Sequence, residues 1–161
     1  MAKIYGFIEV NLAVGAKRTD WMLTTLERYL TTDSCDAVFV YGGANDAYSA
    51  VSNTAAVRNV QKMVDLCVSK NIPAYVVLGY DPMIISYGRV KPTKYVPTQT
   101  GMNALTTKYA QLQQMMKSVK NAKIIPVWKN CAKIDSSDGL HLTSAAQKRF
   151  AEYVGKEAFG E

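Results

Sequence analysis

This sequence is poor in the residues that build metal centres and disulfide frameworks. It has one histidine, His141, and three scattered cysteines, Cys35, Cys67 and Cys131, with no C-x-x-C pair. A zinc or iron site would need an unusual ligand set from so few donors, so no metal is expected, and the thiols fit a reducing compartment. No apolar run reaches the ~18–20 residues needed to cross a bilayer. The N-terminus, Met1 to Val10, alternates and carries Glu9, so it reads as a strand rather than a signal peptide. There is no arginine-rich tract, no nucleic-acid motif and no phosphate-cradling glycine loop. Neither a cofactor nor a nucleic-acid partner is expected, and the chain is expected in the cytoplasm or within a larger assembly, with no membrane partner.

What is present fits one globular domain over residues 1–161. The hydrophobic fraction is 48% and the charged fraction 20%, and 161 residues bury a sizeable core. The net charge of +6 is compatible with an anionic partner such as an acidic glycan. Lys62, Lys70, Lys117 and Lys120, however, fall on helix faces, where solvation alone accounts for them.

Short apolar runs alternate with amphipathic stretches. Residues 4–14 are β-rich. Thr19 to Leu30 has helical spacing, as do Asn53 to Lys70, Met102 to Val119 and Ser144 to Ala158. Ala37–Tyr41, Ala74–Leu78 and Ala122–Val127 read as buried strands, and Asn71-Ile72-Pro73 ends the second helix. Strands apolar on both faces, alternating with helices, predict an α/β three-layer sandwich with a mostly parallel sheet. Ligands of such sheets bind at the carboxyl ends of the strands. The long stretch 79–101, with Tyr80, Tyr87, Tyr95, Arg89, Lys91 and Lys94, reads as a lid or a binding loop.

Two polar clusters fall at that carboxyl edge. Gly42-Gly43-Ala44-Asn45-Asp46 follows the strand ending at Tyr41, and Asp138-Gly139-Leu140-His141 precedes the last helix. A hydroxyl nucleophile needs an imidazole base, and the base needs a carboxylate to fix its tautomer. Asp138 and His141 supply both if the turn at Gly139 folds back. Acyl transfer also needs donors aimed at a developing oxyanion, which a side-chain amide beside a glycine N–H provides. Each cluster alone has a plainer reading: a helix entry capped by Thr143 with a surface His141, and a turn after a strand.

The pair together, Gly-x-Asn-Asp after an apolar strand and Asp-x-x-His before the last helix, resembles blocks III and V of the SGNH (GDSL-type) hydrolase family. The resemblance covers residues 36–154 and implies a flavodoxin-like SGNH fold. It implies that Asn45 and the Gly43 backbone face the oxyanion, that His141 is the base and that Asp138 orients it. The family nucleophile, a serine in Gly-Asp-Ser after the first strand, has no counterpart: no Gly-Asp-Ser occurs in the sequence. Thr32-Asp33-Ser34 precedes its strand and should lie at the wrong edge, Ser49 lies in another strand's loop, and Ser136 and Ser137 are too close to Asp138. The nucleophile is unknown.

Two alignments of the N-terminus follow. In one, Val10 to Thr19 is block II, Gly15 adds an oxyanion donor, and the first strand is missing. The slot it leaves exposes unpaired backbone groups, so a partner chain or self-association would complete the sheet. In the other, residues 4–10 are the first strand and the edge strand is missing. The resemblance implies hydrolysis of an acyl ester, of a carbohydrate or a lipid, if a serine is supplied from outside this chain, as from a split or truncated protein. The alternative is a catalytically inactive binding or structural module of the same fold, a pseudoenzyme.

Overall fold

The computed structural model describes residues 8–49, 51–81, 98–136 and 141–160. Helix α1 (Thr19–Thr32) leads into strand β1 (Val38–Tyr41). A short helix α2 (Ala44–Tyr48) and helix α3 (Asn53–Ser69) follow, then strand β2 (Ala74–Val77). Helix α4 (Gln99–Met116), strand β3 (Lys123–Ile125), a 3-10 turn (Lys133–Asp135) and helix α5 (Ser144–Phe159) complete the order. The three strands form one parallel sheet in the order β1-β2-β3. Val40 stands opposite Val76, and Val76 opposite Ile124.

The sheet is covered on both faces, as parallel sheets with apolar strands must be. Consecutive parallel strands joined by right-handed crossovers put their connecting helices on one face. Accordingly α1, α3 and α4 share a core with Val40 and Val76, built from Leu26, Leu30, Val60, Met63, Val64, Leu112 and Met116. Helix α5 covers the other face with Phe150 and Val154 against Val77, Ile125 and Trp128. The α/β sandwich expected from the strand and helix pattern is therefore the one observed.

The N-terminal expectation is corrected in part. Residues 8–14 form no strand, and Ile8 is 97% exposed. A strand is stable only when its backbone groups are paired, and among the described residues no strand pairs with the outer edge of β1. Helix α1 nevertheless packs as a crossover helix does, on the face that carries α3. Among the described residues, α1 is thus the helix of a crossover with no paired strand ahead of it. Residues 1–7, and with them most of the second alignment's first strand, lie outside the described residues.

Helix ends differ by a few residues for local reasons. Helix α4 begins at Gln99 because the Thr98 hydroxyl accepts from the Gly101 N–H as an N-cap, so the long loop stops short of 101. Its start is tied to the sheet by a parallel bridge between Tyr80 and Trp128. Residues 82–97 of the expected lid lie outside the described residues.

Candidate active site

The segment after β1 was expected to be a turn; it is a turn that winds directly into α2. Gly43 caps that helix with φ +100°, and a Cβ there would stand 2.9 Å from both Leu112 Cδ2 and Met116 Cε. The left-handed backbone and the tight roof of α4 both demand glycine. This fixes where α2 starts and so where Asn45 points. Lys108 on α4 closes the other end of α2: its ammonium donates to the Ser49 carbonyl at 2.8 Å and the Asp46 carbonyl at 3.4 Å, a cation at a helix C-terminus.

Asn45 and Asp46 reach back to the entry of α1. The Asn45 Nδ2 donates to the Lys17 carbonyl at 2.9 Å, which uses one of its two N–H groups. Asp46 is 1% exposed, and its carboxylate accepts from the Thr19 N–H at 3.0 Å and from the Thr19 hydroxyl at 2.6 Å. Thr19 is the first helical residue, so its N–H has no partner within α1. Asp46 serves as a long-range cap, with its charge at the positive end of the helix. Asn59 of α3 donates to the Thr19 hydroxyl at 3.1 Å and completes the tether. These bonds hold the Lys17–Thr19 segment against α2 at the carboxyl edge of β1. Gly15 itself sits in the turn before Lys17, with nothing within 4 Å of a Cβ placed on it.

The residues flanking the second cluster are tied to α5 and the sheet. Asp135, buried, pairs with Arg149 of α5 and accepts from the Ala132 N–H at 2.7 Å. The Arg149 guanidinium also lies 5.7 Å from the Trp128 ring centroid. The Thr143 N–H donates to the Asp135 carbonyl at 2.7 Å, and the Thr143 hydroxyl caps α5 by accepting from Ala146. An antiparallel bridge joins Ser136 to Leu142. The bridge brings residues 136 and 142 together, and His141, exposed, stands next to it. Asp138 lies outside the described residues. Phe150, two turns into α5, packs 5.5 Å from the Tyr41 ring, which ties this end of α5 to the end of β1.

The serines considered as substitutes stand as follows. Thr32-Asp33-Ser34 ends α1 ahead of β1, at the amino edge of the sheet. Ser49 does lie beside Asn45, but its hydroxyl donates to the Asp46 carbonyl at 3.1 Å. Ser136 is buried in the bridge with Leu142, and Ser137 lies outside the described residues. Asp46 stands in the Gly-x-Asn-Asp motif, and Lys17 and Thr19 in the stretch similar to block II, but no local pattern in the sequence reveals the bonds that join them.

An open cleft of ≈ 650 Å³ lies where the α1 entry meets α2, walled by Lys17, Trp21, Asn45, Tyr48 and Ser49 among others. Among the described residues no three His, Cys, Asp or Glu side chains cluster as metal ligands, and no helix is long and apolar enough to cross a membrane.

Comparison with known proteins places these features in a family. Comparison with curated proteins returns no match. Among solved structures, a serine-to-alanine mutant of the esterase AlinE4 is similar in fold, with a TM-score of 0.51 and 15% identity over 99% of this chain and 79% of that one. The family model of the GDSL-like lipase/acylhydrolases matches residues 1–149. With both polar motifs inside that span, the chain belongs to the GDSL-like lipase/acylhydrolase family.

Proposed function

We propose that this domain supplies the oxyanion donors, the base and the orienting acid for acyl-ester hydrolysis, and that the nucleophilic serine lies outside these 161 residues. Asn45, with the backbone N–H groups of Gly15 and Gly43, receives the negative charge that builds on the carbonyl oxygen. His141 takes the proton of the attacking hydroxyl and returns it to the leaving alkoxide, while Asp138 steadies the imidazolium. The observation that carries this reading is the tether of Asn45 and Asp46 to the Lys17–Thr19 segment. It rigidifies a donor cluster that a mere turn would not need, and preorganised donors are what an oxyanion site requires. The outer edge of β1, which no strand pairs among the described residues, supports the second half of the proposal, since one parallel strand laid there ends beside Asn45.

The test is hydrolysis of p-nitrophenyl acetate by the chain alone and with an added peptide that carries an apolar strand ending in Gly-Asp-Ser. Turnover that appears with the peptide and is lost in His141→Ala agrees with the proposal. Turnover equal in the His141→Ala variant, or none with any added strand, refutes it. The absence of Gly-Asp-Ser from the sequence favours a second reading, a catalytically inactive member of the family that binds acylated ligands. Under that reading the cleft still binds, and no added strand restores chemistry.

A further inference from the structure

We propose that the cleft between the α1 entry and α2 binds an anionic sugar unit, with the Lys17 ammonium taking its carboxylate and the Trp21 ring taking its C–H face. The cleft measures ≈ 650 Å³, within the range of small-ligand sites. Its walls decide the chemistry. Ala16 is the only aliphatic side chain among them; the rest are charged, hydroxyl, amide or aromatic. A fatty acyl chain gains its binding from contiguous aliphatic surface; the apolar area of this wall comes from aromatic rings, Ala16 and the stems of charged side chains, interspersed with polar groups. A sugar needs hydrogen-bonding groups for its hydroxyls and an aromatic plane for its apolar face, and Asn45, Ser49, Thr24 and Trp21 provide these.

The charge requirement follows from the ion pairs. Arg18 is engaged by Asp20 at 2.8 Å, so that cation is neutralised within the cleft wall. The Lys17 ammonium sits 5.3 Å from the Trp21 ring centroid, and no carboxylate pairs with it among the described residues. A cation–π contact at an exposed site is weak. A ligand carboxylate displaces it: the ammonium swings to the anion and bares the indole face for the sugar ring. The Lys17 carbonyl holds the Asn45 amide, so the sugar site and the proposed oxyanion site share one residue. An acyl group on a uronate unit is then the substrate class. That last step rests on the hydrolase reading; the binding does not.

Tryptophan emission tests it directly, because Trp128 is 4% exposed and Trp21 is the half-buried indole in the cleft. The full chain is titrated at low ionic strength with trigalacturonate, maltotriose and octanoate, in wild type, Lys17→Ala and Trp21→Phe. Trigalacturonate should give a saturable change, with binding at least about tenfold weaker for maltotriose and for Lys17→Ala. Salt at about 0.5 M should weaken it further. Trp21→Phe should remove the change and leave the Trp128 emission as evidence of folding. The proposal fails if octanoate binds as well, if Lys17→Ala makes no difference, or if trigalacturonate gives no saturable response below about 10 mM. Sugar binding without ester turnover counts against the hydrolase reading alone; turnover without sugar binding counts against the cleft alone.

Discussion

Asp46→Ala should be the most destructive single change near the site, and the structure sets its size. The carboxylate is 1% exposed and accepts two bonds from Thr19, which is itself fully buried. Hydrogen bonds to a charged group contribute ~1.5–3 kcal/mol each. Their loss strands the first N–H of α1 and a hydroxyl in a dry interior, and the helix loses a favourable charge at its positive end. Together these terms predict ~3–5 kcal/mol, a fall in melting temperature of about 10 °C for a chain of this length. Thr19→Val keeps the shape and removes the hydroxyl's bonds to Asp46 and Asn59, so ~2–4 kcal/mol is expected. The two residues share partners, so their effects should not add. The double variant should lose about 1.5 kcal/mol less than the sum. Urea unfolding followed by circular dichroism measures all three. A loss below about 1 kcal/mol for Asp46→Ala, or strict additivity in the cycle, would refute the tether as the element that joins α1 to α2.

Other consequences can be checked on the same protein. Gly43→Ala imposes a left-handed alanine and drives its Cβ into Leu112 and Met116, so ~2–4 kcal/mol of stability should be lost in urea. Burial pushes the Tyr109 phenol up to about 12. Well below pH 10 it is protonated in both states; as the pH rises the unfolded chain ionises first, so stability should fall by about 2 kcal/mol between pH 10 and 12. In Tyr109→Phe that component of the alkaline loss should vanish; an unchanged profile would remove Tyr109 as its source. Burial, with the Asp135 charge adding to it, raises the Cys131 thiol to about 11, so at pH 8 it should react with a disulfide reagent about tenfold more slowly than a thiol of ordinary acidity, the smaller thiolate fraction being partly offset by a stronger nucleophile. Rapid labelling of Cys131, located by peptide mapping, would contradict this.

Much of the architecture was legible in the sequence because periodicity records burial. The runs at Ala37–Tyr41 and Ala74–Leu78 are apolar on both faces, and only a strand covered twice needs that pattern. Thr143 was readable as a helix cap because capping is a contact between near neighbours in sequence. Residues 8–14 show the limit of this reasoning. Their side chains alternate as a strand's do, yet they form none, because strand formation depends on a partner that periodicity cannot report.

The division at the candidate site follows the same line. The motif types Gly-x-Asn-Asp and Asp-x-x-His, the parallel α/β class and the lack of a Gly-Asp-Ser are properties of the chain read in order, and they stand without coordinates. Three things came only from the tertiary structure: the cap that Asp46 places on α1, the Asn45 bond to Lys17, and the meeting of Trp21 and Lys17 with Ser49 in one cleft. Each joins residues that no local rule connects. Asp46 bonds a helix terminus 27 residues before it, and such a pairing exists only once the core has packed α1 beside β1. Local chemistry names the reacting groups; long-range packing decides which of them meet.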